Sequence, residues 1–124
     1  MKRILIAAAL AASASAAKAQ AIPVTLTEFK LDFRKDTVPA GAVTFRVKNA
    51  GAMTHGFYVR GPGVAKGSPD IPAKQEVALT VTLKPGTYEI YCPMSDMSHK
   101  VAGMTKSLVV IAAPAAPAKK KPGN

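Results

Sequence analysis

The clearest strand pattern lies in the stretch of residues 76–92, which reads EVALTVTLKPGTYEIYC. Apolar residues occupy every second position from Val77 to Leu83, and the alternation resumes at Tyr88 and Ile90 after Lys84-Pro85-Gly86. A period of two with one apolar face indicates half-buried β-strands, and a Pro-Gly pair between two such runs indicates a tight turn. The stretch therefore predicts two strands, the second ending at Cys92 with its side chain on the core-facing side.

The same pattern recurs along the chain. Short alternating runs include Val43–Val47, Phe57–Val59 and Leu108–Val110, and turn residues such as Pro39-Ala40-Gly41 and Gly61-Pro62-Gly63 bound them. No window shows a convincing helical stripe. We predict an all-β fold, a Greek-key β-sandwich or barrel of about six to eight strands. Two local expectations accompany it: a β-bulge where the phase changes near Glu28, and a long connection over 61–75.

The two ends of the 124-residue chain do not show the strand pattern. Lys2 and Arg3 precede a short apolar run, and Ala17-Lys18-Ala19 forms a small-residue cleavage pattern, so we predict a signal peptide over 1–19. Residues 112–124 contain Ala, Pro and Lys without a large apolar side chain, which predicts a disordered tail. Residues 20–111 then form one domain, with no transmembrane segment in the mature chain and export to the periplasm expected.

Charge and composition exclude several function classes. The formal net charge is +10; removing Lys2, Arg3 and Lys18 leaves +7, and removing the three lysines 119–121 leaves +4. The basic residues of the domain are scattered and lack interleaved aromatic residues, so we do not expect nucleic-acid binding. With no Ser/His/Asp set and few carboxylates, we do not expect an enzyme. One cysteine excludes an internal disulfide and a binuclear copper centre.

Four residues suited to a metal site lie at strand ends or in loops. They are the single cysteine, Cys92, both histidines, His55 and His99, and Met104. One thiolate, two imidazoles and a weak thioether form the donor set that suits copper. Taken singly, each has a simpler interpretation: Cys92 as a small buried hydrophobe or an intermolecular disulfide link, the histidines as turn residues, Met104 as a core residue. Their joint occurrence favours a site.

The sequence resembles the cupredoxins, or blue copper proteins, in particular single-domain members of the plastocyanin, azurin and auracyanin type. The resemblance covers roughly 22–111 and rests on three motifs, Asn49-x-Gly51-x₃-His55-x-Phe57, Pro85-Gly86-x-Tyr88-x-Ile90-x-Cys92-Pro93, and His99-x₃-Gly103-Met104-x₃-Leu108. It implies one Cu(I)/Cu(II) ion bound by His55, Cys92 and His99, with Met104 as the axial ligand.

Three features depart from the usual pattern or complicate it. Six residues separate Cys92 from His99, more than single-domain relatives usually have. Gly56 replaces the Asn that often follows the first ligand histidine, so hydrogen-bond support for that ligand is either weaker or comes from elsewhere. The Gly56 N–H is still able to reach the Cys92 sulfur. Met94 and Met97 lie between the proposed ligands, either as an apolar docking surface around His99 or as competing Cu(I) ligands.

The resemblance implies a periplasmic, mononuclear type 1 copper protein that acts as a one-electron carrier. Its expected partners are c-type cytochromes, oxidases or reductases, and we expect a monomer. The alternative is a periplasmic copper-binding or copper-delivery protein of the same fold. A third hypothesis is a metal-free interaction module in which Cys92 is a redox thiol or a dimer link.

Overall fold

The computed structural model describes residues 19–113. The predicted signal peptide, apart from Ala19, and the tail from Pro114 onward lie outside the described residues. Nine strands and one short helix follow in chain order: β1 (Gln20–Thr27), β2 (Lys30–Asp32), β3 (Thr37–Pro39), β4 (Gly41–Asn49), β5 (Tyr58–Gly61), β6 (Val64–Gly67), β7 (Glu76–Leu83), β8 (Gly86–Tyr91), α1 (Ser98–Val101) and β9 (Thr105–Ile111).

The strands form two sheets whose members are interleaved along the chain. One sheet has the order β2-β1-β4-β7 and the other β3-β9-β8-β5-β6. Pairs β1·β4 and β3·β9 are parallel, and the other pairs are antiparallel. Because neighbours in a sheet are often distant in sequence, the chain crosses repeatedly between layers, as in a Greek-key sandwich. The predicted all-β fold class is confirmed.

The core lies between the sheets and is built by the period-two pattern. In β4, Val43, Phe45 and Val47 are completely buried. They form one buried cluster with inward residues of the other sheet, among them Tyr88, Ile90 and Leu108. Burying one such side chain contributes about 1.5–3 kcal/mol relative to leaving it exposed. In the described part of the chain, no helix is long and apolar enough to span a membrane.

Two local predictions were wrong. The change of phase near Glu28 is not a bulge: β1 ends at Thr27, β2 begins at Lys30, and these two residues pair across a two-residue turn. The predicted long connection over 61–75 contains β6, which forms a hairpin with β5 and brings the described strands to nine. Its short, largely exposed sequence has no alternating apolar residues, so its pattern carries no strand signal.

Three connections meet at one end of the sandwich. The parallel register Leu26↔Asn49 places the ends of β1 and β4 side by side, and the Ala50 N–H donates to the Leu26 carbonyl at 2.8 Å. On the other sheet, Tyr91 pairs with both Tyr58 and Thr105. The turn after β1, the loop after β4 and the loop between β8 and β9 therefore lie at the same end.

Candidate metal centre

The structure brings His55, Cys92 and His99 together in one buried cluster. Their donor atoms all lie within 4.8 Å of one another. The two Nδ1 atoms are 3.2 Å apart, and the Cys92 Sγ lies 3.7 Å from His99 Nδ1. His55 and Cys92 are completely buried and His99 is 4% exposed. Among residues 19–113, this is the one group of three or more His, Cys, Asp or Glu donors close enough to share an ion.

Asn49 and Ile71 hold the loop that carries His55. The backbones of His55 and Ile71 exchange two hydrogen bonds, of 3.1 and 2.7 Å. The buried Asn49 amide donates to the Met53 and Ile71 carbonyls, both at 2.8 Å, and its oxygen accepts the Gly51 N–H at 2.9 Å. Since every polar atom of Asn49 is used, the loop from the end of β4 to His55 is tied at three points.

Backbone hydrogen bonds join Met104 to two of the other predicted ligands, Cys92 and His99. The Cys92 N–H donates to the Met104 carbonyl at 3.0 Å, and the Met104 N–H donates to the His99 carbonyl at 3.1 Å. Met104 is completely buried and belongs to the core cluster. Cys92, His99 and Met104 are thus joined through their main chains.

The long interval between Cys92 and His99 is taken up by a compact turn. Ser95, Asp96 and Met97 all have positive φ angles, of 54°, 51° and 70°. Helix α1 follows at once and carries His99 in its single turn. A left-handed turn that reverses into a right-handed one shortens the path, so six intervening residues still return His99 to the sulfur of Cys92.

Burial raises the pKa of the Cys92 thiol, and N–H groups of Gly56 and Met94 oppose that rise. The Gly56 N–H lies 3.3 Å from Sγ, which confirms the expected contact. Because Pro93 has no N–H, the donor on the Cys92 side of the loop is Met94, one residue later. In the metal-free protein the thiol is therefore protonated, and binding of a metal ion releases that proton.

Burial also lowers the pKa of His55, which its hydrogen bond and charge interaction with Glu28 partly offset. The neighbouring His99 lowers this pKa further. The His55 ring is consequently neutral near pH 7 and available as a ligand. With Nε2 facing Glu28 at 3.3 Å, the nitrogen that faces His99 and the sulfur is Nδ1.

Glu28 also belongs to the centre, and the sequence pattern gave it no functional role. Its Oε1 accepts the N–H groups of Ala52 at 2.8 Å and Met53 at 2.7 Å. The Met53 N–H is the main cause that lowers the pKa of this carboxyl, so Glu28 is ionised near pH 7. The support that Gly56 does not supply to the first histidine comes instead from Glu28 and Asn49. The change of phase near Glu28 was the one sequence signal at this position.

The methionines near the centre differ in exposure. Met53 is 43% exposed, whereas Met94 is partly buried against the core. Val101, in the same helix as His99, is 86% exposed, whereas His99 itself is buried. The Phe29 ring packs edge-on against the His99 ring, with centroids 5.1 Å apart at 71°. An apolar surface around His99 therefore includes Phe29, and the imidazole itself is not open to solvent.

The residues present fit a copper ion. A thiolate with two imidazoles forms a trigonal set suited to copper, and a methionine sulfur is the usual weak fourth donor. Both histidines turn Nδ1 toward the other's ring, and Cys92 approaches the same point. His55, Cys92 and His99 form a candidate single-copper site.

The family model described as a cupredoxin-like domain matches residues 2–103. Auracyanin from the photosynthetic bacterium Roseiflexus castenholzii superposes with a TM-score of 0.65 and 20% identity, covering 75% of this chain and 98% of that one. Auracyanin A from Chloroflexus aurantiacus, described as a "blue" copper protein, gives 0.55 and 26%, covering 72% and 99%.

A longer protein also contains this fold. The blue copper oxidase from Nitrosomonas europaea gives a TM-score of 0.62 at 15% identity, covering 81% of this chain and 41% of that one. Comparison of the sequence with curated proteins returns no significant match. Because the family model spans most of the chain and the fold agrees with it, this protein belongs to the cupredoxin-like domain family.

Proposed function

We propose that the chain is a periplasmic, mononuclear type 1 copper protein that carries one electron at a time. His55, Cys92 and His99 are the proposed equatorial ligands and Met104 the axial one. The observation that carries the proposal is the buried convergence of two Nδ1 atoms and one Sγ within 4.8 Å. A bound copper ion would supply the redox chemistry by alternating between Cu(I) and Cu(II).

The role of the protein is to hold the ligand atoms in the same positions for both oxidation states of the copper ion. Each proposed ligand is tied by a backbone hydrogen bond: His55 to Ile71, Cys92 to Met104, and Met104 to His99. The Gly56 N–H directed at Sγ withdraws charge from the sulfur. Donors fixed in advance need little rearrangement when the charge of the site changes, which suits rapid electron exchange.

The comparisons support a carrier rather than an enzyme. Auracyanin A is described as a "blue" copper protein, and almost its whole length is covered by this chain. The blue copper oxidase is less than half covered, so its activity is not carried over to this chain. Among residues 19–113 there is one cluster of potential metal ligands.

We further propose that redox proteins, such as c-type cytochromes, oxidases or reductases, dock at the end of the sandwich that contains the site. Phe29 and Met53 are 41% and 43% exposed there. Phe29 touches His99 and Met53 lies two residues from His55. Apolar side chains so close to the ligands provide a short path for an electron to a docked partner.

The test is a redox titration of the copper-loaded chain 20–124, followed by its optical spectrum. A carrier should show one reversible one-electron transition per bound copper, with a visible band that disappears on reduction and returns on oxidation. The copper should remain bound during repeated cycles. A colourless protein that loses Cu(I) readily to a chelator would contradict the proposal and favour copper delivery.

A further inference from the structure

The two-residue turn between β1 and β2, Glu28 and Phe29, contacts both histidines of the centre. We propose that this 28–29 turn positions the two imidazole rings, and that Glu28 selects the nitrogen of His55 that binds the ion. The inference rests on the proposed copper site. Glu28 and Phe29 come from a segment more than twenty residues before the first ligand.

The placement of the turn follows from strand pairing. β1 runs parallel to β4 with Leu26 opposite Asn49, so the residues after each strand leave the sheet side by side. The 28–29 turn therefore lies next to the loop that carries His55. A short β2 returning from Lys30 holds the turn in place.

Glu28 connects the turn to the first ligand loop. One carboxylate oxygen accepts the Ala52 and Met53 N–H groups and lies 3.3 Å from His55 Nε2. The ionised carboxylate is an acceptor only, so His55 must carry its proton on Nε2. Its Nδ1 is then the nitrogen with a free lone pair, directed toward His99 and Cys92.

Phe29 connects the same turn to the second ligand loop. Its ring packs edge-on against His99 at 5.1 Å, and its backbone carbonyl approaches the backbone of Gly103. The two side chains of one turn thus contact one proposed ligand each, from two different loops.

Two glycines show that both contacts are close. At Gly51, a Cβ atom would collide with the Glu28 carboxylate, and at Gly103 it would lie 2.9 Å from the Phe29 carbonyl oxygen. Gly103 also has a φ of +129°, which side-chain-bearing residues rarely adopt. Each ligand loop therefore has a residue without a side chain where the 28–29 turn meets it.

The expected consequence is a tighter and more electron-rich site. A carboxylate that accepts a hydrogen bond from a ligand imidazole fixes its orientation and raises its basicity, and losing such a partner typically costs 10–100-fold in metal affinity. The negative charge also favours Cu(II) over Cu(I). Glu28 should accordingly lower the reduction potential of the site.

The experiment compares Glu28→Gln and Glu28→Ala with the wild type and with Asp36→Asn. Asp36 precedes β3, which pairs with Val109 at the opposite end of β9, so its variant removes the same charge far from the site. We measure Cu(II) affinity by chelator competition and the reduction potential. Imidazole ¹⁵N NMR of the copper-free protein reports the tautomer of His55.

For both Glu28 variants we expect a Cu(II) affinity about 10–100-fold lower and a higher potential, with Asp36→Asn unchanged. In copper-free Glu28→Ala, His55 should lose its single Nε2–H tautomer. An unchanged tautomer, with affinity and potential matching the wild type, would overturn the role of Glu28. If the wild type binds no copper, the proposed function fails, whereas the tautomer measurement still decides the positioning role.

Phe29 provides a separate arm. Phe29→Ala should loosen the His99 ring and leave the His55 tautomer intact. The loosening is measured in the copper-free protein as faster solvent exchange of the ring N–H proton of His99. Phe29→Leu, which keeps an apolar cover, should restore most of the protection. If Phe29→Ala leaves His99 exchange unchanged, Phe29 has no part in holding that ring.

Discussion

Replacing Asn49 by Ala should lower the free energy of unfolding of the domain far more than an ordinary surface substitution does. Asn49 is completely buried and its side chain makes three hydrogen bonds, to the Met53 and Ile71 carbonyls and from the Gly51 N–H. Each such bond contributes about 0.5–1.5 kcal/mol net, and a buried partner left unpaired adds to the cost. The three together predict a loss of about 3 kcal/mol in the free energy of unfolding.

The assay is urea unfolding of the copper-free protein, with thermal unfolding as a second readout. For a domain of this size, 1 kcal/mol corresponds to about 4–8 °C, so Tm should fall by about 12–24 °C. Thr80→Val is the matched control: it removes one exposed side-chain hydrogen bond, to Thr44, and keeps a β-branched residue in the strand. It should change stability by about 0.5 kcal/mol or less.

The Asn49 variant also tests the link between that residue and His55. If the loop after β4 is tied mainly through Asn49, copper affinity should fall together with stability. If the free energy of unfolding of the variant lies within about 1 kcal/mol of the wild-type value, Asn49 is not the main support of this loop.

Three further predictions concern the ligand loop and the titratable groups. Met104→Leu should leave a coloured site with a higher reduction potential, because a weak donor is removed; an unchanged potential would show that Met104 is not the axial ligand. Asp96→Gly should stabilise the copper-free protein by about 0.5–1 kcal/mol in urea unfolding, since Asp96 has a positive φ that glycine adopts without strain; a destabilised variant would contradict the left-handed turn. The pKa of His55 lies below 6.5 and that of Glu28 below 4.5, so the stability they contribute is present above those values and lost as pH falls. The pKa of Cys92 lies above 9.0, so its contribution is lost as pH rises past that value. Copper-free stability should therefore be greatest between about pH 6.5 and 9, and a maximum near pH 5 would contradict these shifts.

The strands of the core were predictable because each carries its own signal. The alternation in Val77–Leu83 and in Val43–Val47 reports which side of a strand is buried, and both runs proved to be strands of one sheet, β7 and β4. The strand β6 has no such alternation. The position of β6 depends on its pairing with β5, and a local sequence pattern does not predict which strands pair.

The residues of the candidate site likewise differ in how far the sequence could predict them. His55, Cys92 and His99 were identified from residue type and order, and the structure brings them together. Glu28 and Phe29 were missed because an acidic residue and an aromatic residue at a turn have no distinctive chemistry in sequence. Their role appears only when the parallel pairing of β1 with β4 places the 28–29 turn beside the ligand loops.

In the proposed site, Cys92 binds copper as a thiolate together with His55 and His99. The most direct measurement is the visible and EPR spectrum of the copper-loaded chain 20–124, recorded beside Cys92→Ser. We expect an intense thiolate-to-Cu(II) band at one copper per chain in the wild type and its complete loss in Cys92→Ser. A band of equal intensity in Cys92→Ser, or a wild type that takes up copper without any such band, would contradict it.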